Sequence, residues 1–209
     1  FREFNITEDY FKYVDGKPRL EGIDSFLNSR DIKLTQGTSS SEKNFETIYG
    51  LGALKDDIFR ETLEREGVEL YDSTVSLIHR LRKVKINTFV ASSSKNCRRV
   101  LKASSITDLF EGIYDGTNLE KDNVPGKPHP YLFLNVISST QLTSSECVVF
   151  EDSVAGVESA VSGGFFTIGI DRSNNEEYLI EAGANIVVKD LKELIFNDKN
   201  KTFSLSSKS

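Results

Sequence analysis

The sequence predicts an α/β fold, a parallel sheet with helices on both faces, plus a separate helical domain ahead of it. Three observations carry this. Residues 1–70 show helical spacings and no convincing strand. From Tyr71 onward, short apolar runs rich in β-formers alternate with helical stripes, the texture of repeated βα units. The stretch Cys147–Asp171 reads as strand, loop, helix and strand in succession. Two acids, Glu151 and Asp152, close its first strand, at the sheet edge where open α/β folds bind ligands. The expected organisation is a helical domain over 1–70, an α/β core over 71–196 and a polar, frayed tail over 197–209.

Taken in order, Thr7 is placed to cap a short helix through Tyr13. Val14-Asp15-Gly16-Lys17-Pro18-Arg19 is a charged turn. Ile23, Phe26 and Leu27 form an i, i+3, i+4 stripe before Arg30. Thr35–Asn44 is small and polar, a loop. Leu51, Leu54, Ile58 and Leu63 mark a further helix, closed by Gly67. In the core, Val75, Ile78 and Leu81 mark a helix, and Ile86–Ala91 a strand. Ser92-Ser93-Ser94 follows, then a helix bearing Cys97, Val100 and Leu101. Ile113-Tyr114 reads as a short strand. Pro128 and Pro130 bracket the start of a helix carrying Leu132, Phe133, Val136 and Ile137. After Cys147–Asp171 come a helix from about Asn175 to Ala182, a strand Ile186–Val188 and a short helix Leu191–Phe196.

Composition narrows the function classes. A formal charge of −6 and a pI near 5.1 do not make the basic footprint of a nucleic-acid binder. No apolar run approaches membrane-spanning length and no signal peptide is visible. Two cysteines without a framework pattern fit a reduced cytoplasmic setting. Cys97 and Cys147 read as small buried hydrophobes, His79 as a helix-surface residue and His129 as a residue at a helix start. Asp171 reads as a turn or capping residue. Two histidines and two cysteines lack zinc-ligand spacing.

Three strand ends gather chemistry: Ser92, Lys127 in Gly126-Lys127-Pro128, and Glu151-Asp152. A parallel sheet brings such ends to one edge. A hydroxyl and backbone N–H groups hold phosphate oxygens, a lysine neutralises developing charge, and carboxylates hold Mg²⁺. That set suits phosphoryl transfer.

In this order and spacing, VASSSKN, GKPHP and FEDSVAG resemble motifs II, III and IV of the haloacid dehalogenase superfamily. VDGKPRLEGIDSFLNSR and GLGALKDDIF resemble the cap segments of its β-phosphoglucomutase-like branch, to about residue 195 in all. The resemblance implies a Rossmannoid core under a helical cap, Mg²⁺ as cofactor and a small phosphorylated metabolite, a sugar phosphate, as partner. It implies a monomer or weak homo-oligomer with no nucleic-acid or membrane partner. Ser92 takes the phosphoryl-binding hydroxyl, with Ser93 adding its backbone N–H, and Lys127 takes the motif III lysine. Asp152 takes the Mg²⁺-ligand position, with Glu151 beside it, direct or through water. Ser94, Lys95 and Asn96 fall where the branch grips the non-transferring phosphate. Arg19 and Lys55 fall where the cap supplies a phosphate-binding arginine and a lysine near the sugar. For Ser94 a helix cap is the alternative role, and for Arg19, Lys55 and Lys95 a solvated charge.

One family feature is missing from the sequence. Motif I, Asp-x-Asp, supplies the phosphoryl-accepting nucleophile and the acid/base, and no Asp-x-Asp occurs here. Asp15 lies in a turn and Asp56-Asp57 in a helical segment. The chain also starts at Phe1 and contains no Met. The expectation is that the parent protein carries a further strand with this motif, central in the sheet between Ile86–Ala91 and Val148–Phe150. Without it the sheet should hold an open apolar slot, which the tail Lys201–Ser209 is too polar to fill. These 209 residues alone should then be inactive. The competing expectation is a non-catalytic phosphometabolite-binding or regulatory module.

Overall fold

The computed structural model describes residues 2–38 and 42–206. The helical region opens with a wide helical turn, Ile6–Tyr10, running into α1 (Phe11–Tyr13). Its cap is Asn5 rather than Thr7: the Asn5 side chain accepts from the Glu8 N–H at 2.9 Å. Asp9, fully buried, then takes Arg2 and Arg30 from either side and the Asn5 N–H at 2.8 Å, which ties this turn to the end of the next helix. That helix, α2 (Arg19–Asn28), follows the charged turn. Of the expected loop Thr35–Asn44, residues 39–41 lie outside the described residues; Thr35 bridges to Thr47. Thr47 caps α3 (Ile48–Glu66), and Gly67, at φ 74°, ends it. Ile58, which the spacing put in the buried stripe, is 65% exposed. The buried side of α3 runs instead through Ile48, Gly50 and Gly52, where Gly50 leaves room for Asn44 and Gly52 lets Leu20 of α2 approach.

The core begins with α4 (Asp72–Lys83). Strand β1 (Phe89–Ala91) is half the length the apolar run suggested, because it pairs only with the short β2 (Gly112–Tyr114), in parallel. Between them runs α5 (Cys97–Ala103), and after them α6 (Gly116–Asp122) and α7 (Tyr131–Ser138). Strands β3 (Val148–Glu151), β4 (Phe166–Ile170) and β5 (Ile186–Val188) form a second parallel group, linked by α8 (Val154–Ser162) and α9 (Glu176–Glu181). Val157, Ala160, Ile168 and Leu179 are fully buried between the helices and this group. Burial of each large side chain stabilises by about 1.5–3 kcal/mol.

The tail departs from expectation. Leu191–Glu193 is a single tight turn, and Leu194–Asn197 is strand β6 rather than helix. β6 pairs antiparallel with β7 (Thr202–Leu205), inside the segment expected to fray. The reason is packing: Phe203 meets Phe196 at 4.9 Å and Phe150 of β3 at 5.4 Å between ring centroids. The tail strand joins neither parallel group.

Those two groups are separate. Among the described residues β1 pairs only with β2, and β3 only with β4, so one edge of each is unpaired. Between them lies a slot of about 770 Å³, walled by Phe89 and Ala91 on one side and by Val148 to Asp152 on the other. Open strand edges lining an apolar void are costly unless something pairs with them.

Candidate active site

The carboxyl ends of β1 and β3 bracket the mouth of this slot, and Lys127 spans them. Its ammonium is buried, donates to the Ala91 carbonyl of β1 at 3.1 Å and forms an ion pair with Glu151 of β3. The Phe133 ring lies 4.8 Å beneath it. Glu151 is equally committed. Its second oxygen accepts from the Asp152 N–H at 3.0 Å, the Ser153 N–H at 3.1 Å and the Ser153 hydroxyl at 3.0 Å. Gly156 makes this possible: a Cβ there would sit 2.1 Å from the Glu151 carboxyl carbon. Every lone pair of Glu151 facing the turn is in use, so this carboxylate anchors the loop.

Asp152 differs from its neighbour. It is exposed, and among the described residues its carboxylate receives no hydrogen bond and no ion pair. Its backbone carbonyl is held by the Asn175 side chain at 3.0 Å, and Asp171 in turn caps the Asn175 N–H at 2.7 Å. The exposure is into the concave mouth of the slot, so protein crowds the carboxylate even where solvent reaches it. Burial, then the charge of Glu151, push its proton affinity up; Lys127 pulls the other way. A third carboxylate, Asp15, comes from the cap turn. Burial and the charges of Asp152 and Glu151 raise its pKa to about 6. Gly16 presses that turn onto the core, since a Cβ there would lie 2.3 Å from the Ser153 hydroxyl.

The cleft under the cap, about 1050 Å³, gathers six of the residues singled out from sequence: Arg19, Lys55, Ser93, Ser94, Lys95 and Asn96. Ser92 ends β1 and its hydroxyl accepts from the Ser94 N–H at 3.2 Å. Ser93 is buried and its hydroxyl has no partner among the described residues. Ser94 does take a turn-forming role, accepting from the Asn96 N–H at 3.1 Å, while Asn96 itself is the residue that opens α5. Lys95 reaches Glu120 at 2.7 Å on an exposed face. Lys55 is exposed within the cleft and makes no ion pair among the described residues. Burial, then the nearby Arg19 charge, lower its pKa. Arg19 pairs with Asp56, and Asn96 donates to the same Asp56 oxygen at 2.7 Å.

The sequence reading missed Asp56 and Asp15 as site residues. Both adjoin residues it had selected, yet their roles depend on partners 37 to 40 positions away for Asp56 and on the core turn for Asp15. It also missed Asn175, whose signal was its place just beyond the strand ending at Asp171. His129 accepts from the Tyr131 N–H at 3.2 Å and so caps the start of α7. Cys97 is buried and His79 exposed. No group of three or more His, Cys, Asp or Glu side chains is close enough to hold a metal among the described residues. The two adjacent acids, one anchored and one free, are the residues here that could hold a cation. Such a pair fits a hard divalent ion that keeps most of its waters.

Comparison with known proteins shows the family. A family model described as a haloacid dehalogenase-like hydrolase matches residues 4–164. A β-phosphoglucomutase of Mycobacterium bovis is 33% identical over 199 residues, spanning 93% of this chain and 76% of the relative. A phosphorylated carbohydrates phosphatase of Thermotoga maritima is 28% identical over 190 residues, spanning 88% and 79% respectively. A crystal structure of β-phosphoglucomutase from Clostridium difficile superposes with a TM-score of 0.67 at 26% identity, covering 87% of this chain and 74% of that one. The chain belongs to the haloacid dehalogenase-like hydrolases, in their β-phosphoglucomutase-like branch.

Proposed function

We propose that the protein catalyses Mg²⁺-dependent phosphoryl transfer on a sugar phosphate, with the cap–core cleft binding the sugar phosphate and the mouth of the slot carrying the chemistry. The observation that carries this reading is the division of labour between Glu151 and Asp152. One carboxylate is fixed by four contacts, and the next is left free at the same strand end, 24 residues from the lysine that braces both strands. The relatives' names support the substrate class: a phosphoglucomutase and a phosphatase of phosphorylated carbohydrates.

Asp152 is the residue to hold Mg²⁺, with Glu151 fixing the loop that presents it. The ion would supply charge neutralisation at the phosphoryl oxygens. Lys127 places a buried ammonium at the joint between β1 and β3, where it offsets charge developing on the transferring group. Ser92 and the backbone of Ser93 bind phosphoryl oxygens at the end of β1. Arg19, Lys55 and Asn96 take the non-reacting phosphate and the sugar, a guanidinium suiting two phosphate oxygens at once.

The nucleophile and the acid/base are assigned to an Asp-x-Asp strand outside this sequence, seated in the 770 Å³ slot and pairing with β1 and β3. An aspartyl-phosphate formed there would be handed to water in a phosphatase or back to a sugar in a mutase. Water exclusion by the cap decides between the two. The alternative, a binding module without catalysis, leaves the free Asp152 without a purpose. The test is turnover by the full-length gene product on a panel of sugar phosphates, with and without Mg²⁺. Mg²⁺-dependent phosphate release or isomerisation, lost in Asp152→Asn, is the expected result. Absence of turnover on any substrate, in a protein carrying the Asp-x-Asp strand, would sink the reading.

A further inference from the structure

Two donors assigned to the substrate's non-reacting phosphate are already occupied. Arg19 of the cap and Asn96 of the core both point at one oxygen of Asp56. The other Asp56 oxygen pairs with Arg60 at 3.0 Å, and Arg60 also reaches Asp57 at 2.8 Å. Lys43 completes this network on Asp57. A single carboxylate thus bridges cap and core from within the cleft.

Two neighbours of this bridge lack a protein partner among the described residues. Lys55, next in sequence, is exposed to the cleft beside Arg19 with no counter-ion. The Ser93 hydroxyl, 7% exposed as a residue and lining the same cleft, has no hydrogen-bond partner among the described residues. A carboxylate on helix α3 can serve Arg19 and Asn96 but leaves these two groups unpaired. A phosphate, with three free oxygens and up to two charges, has the valence for all four. Burial alone would raise the pKa of Asp56. The Asn96 hydrogen bond and the charges of Arg19 and Arg60 outweigh this and hold it low, so the group is a full anion near neutrality.

We propose that Asp56 is an internal counter-anion that holds the phosphate seat of the cleft until a phosphorylated ligand displaces it. The inference rests on the reading that this cleft receives the sugar phosphate. On displacement, Asp56 keeps Arg60, while Arg19 and Asn96 transfer to the ligand and preserve the link between cap and core. The residue thereby sets selectivity: a neutral sugar cannot supply the charge needed to release Arg19. Occupation of a seat by an internal competitor lowers apparent affinity by the fraction of time the seat is open.

The test measures binding of glucose 6-phosphate and of inorganic phosphate by calorimetry to the wild-type chain and to Asp56→Asn, Arg19→Ala and Asn96→Ala. Asp56→Asn removes the competing charge and should tighten both ligands by roughly tenfold, while the two alanine variants weaken them. Unchanged or weaker binding by Asp56→Asn, with Arg19→Ala still damaging, would overturn the inference and leave the cleft reading standing. No effect of either alanine variant would remove the cleft reading itself, and the inference with it. Should Asp56→Asn fail to fold, carboxyl-carbon NMR of wild type decides. Titration of Asp56 should move upward when glucose 6-phosphate saturates the cleft. A titration that stays in place refutes displacement.

Discussion

The cleft beneath the cap and the slot inside the sheet come within two residues of each other at the end of β1: Ala91 walls the slot, Ser93 the cleft. They are finished in opposite ways. In the cleft, charge meets charge within the chain, as Arg19, Arg60 and Lys43 find Asp56 and Asp57. In the slot, two strand edges and a free carboxylate find nothing among the described residues. The difference teaches that one cavity can be closed on internal ion pairs while the one beside it stays open at two strand edges. The slot is bridged by Lys127, whose ammonium reaches Ala91 of β1 and Glu151 of β3.

Removing that brace is the strongest way to break the comparison. Lys127→Ala leaves Glu151 buried beside three donors but without its counter-charge. Loss of one partner of a buried pair costs about 3–5 kcal/mol, measured as a drop in unfolding free energy by urea titration. Lys127→Met with Glu151→Leu should recover part of that stability while turnover by the full-length protein stays absent. Full stability in Lys127→Ala would show the brace to be ornamental.

Asp152→Asn sharpens the contrast between adjacent acids. It should cost about a hundredfold or more in turnover of the full-length protein and leave unfolding free energy at neutral pH unchanged or slightly raised, since the side chain makes no hydrogen bond among the described residues and burial and Glu151 disfavour its charge. Glu151→Gln should damage both. Equal behaviour of the two variants would contradict the division of labour.

The Asp15 side chain tests whether the two cavities share an electrostatic field. Its pKa is raised from 3.8 to about 6. Above pH 6 the folded protein carries a charge that burial and two neighbouring carboxylates disfavour. As pH falls below 6 the folded state gains a proton that the unfolded chain does not take up until near pH 4. Stability from this group therefore rises as pH falls from about 6 to about 4. Asp15→Asn should remove that slope and, at pH 7 in chelator, stabilise by about 1–2 kcal/mol after allowance for solvent screening. A smaller effect is expected at the far wall of the slot. Phe203→Ala opens the aromatic contact with Phe150 and should cost about 1–2 kcal/mol for a half-buried ring.

Much of this was legible in the sequence because it is local. Glu151 and Asp152 close a short apolar strand and announce themselves by position, whereas Lys127, expected at a strand end, sits in the Pro-Gly loop between α6 and α7 and reaches the strand ends by its length. Gly67 and Gly183 end helices at positive φ, as glycines after an amphipathic stripe do. The open slot followed from a single deduction, that a parallel sheet lacking its central strand keeps two bare edges. What was not legible depends on distance in the chain. Asp56 belongs to an ordinary charged helix face until Asn96, 40 residues later, folds against it. The tail carried a readable signal that composition masked. Leu194-Ile195-Phe196 and Phe203-Ser204-Leu205 flank a polar turn with the alternation of a hairpin. Serine and lysine content argued for fraying, and the packing of Phe203 on Phe196 and on Phe150 of β3 outweighed it.

The most direct test of the account is calorimetric titration of this 209-residue chain with glucose 6-phosphate, followed by an assay for phosphate release in Mg²⁺ on the same sample. The account predicts binding that Arg19→Ala weakens, together with no turnover. Turnover by this chain alone, or binding untouched by Arg19→Ala, would contradict it.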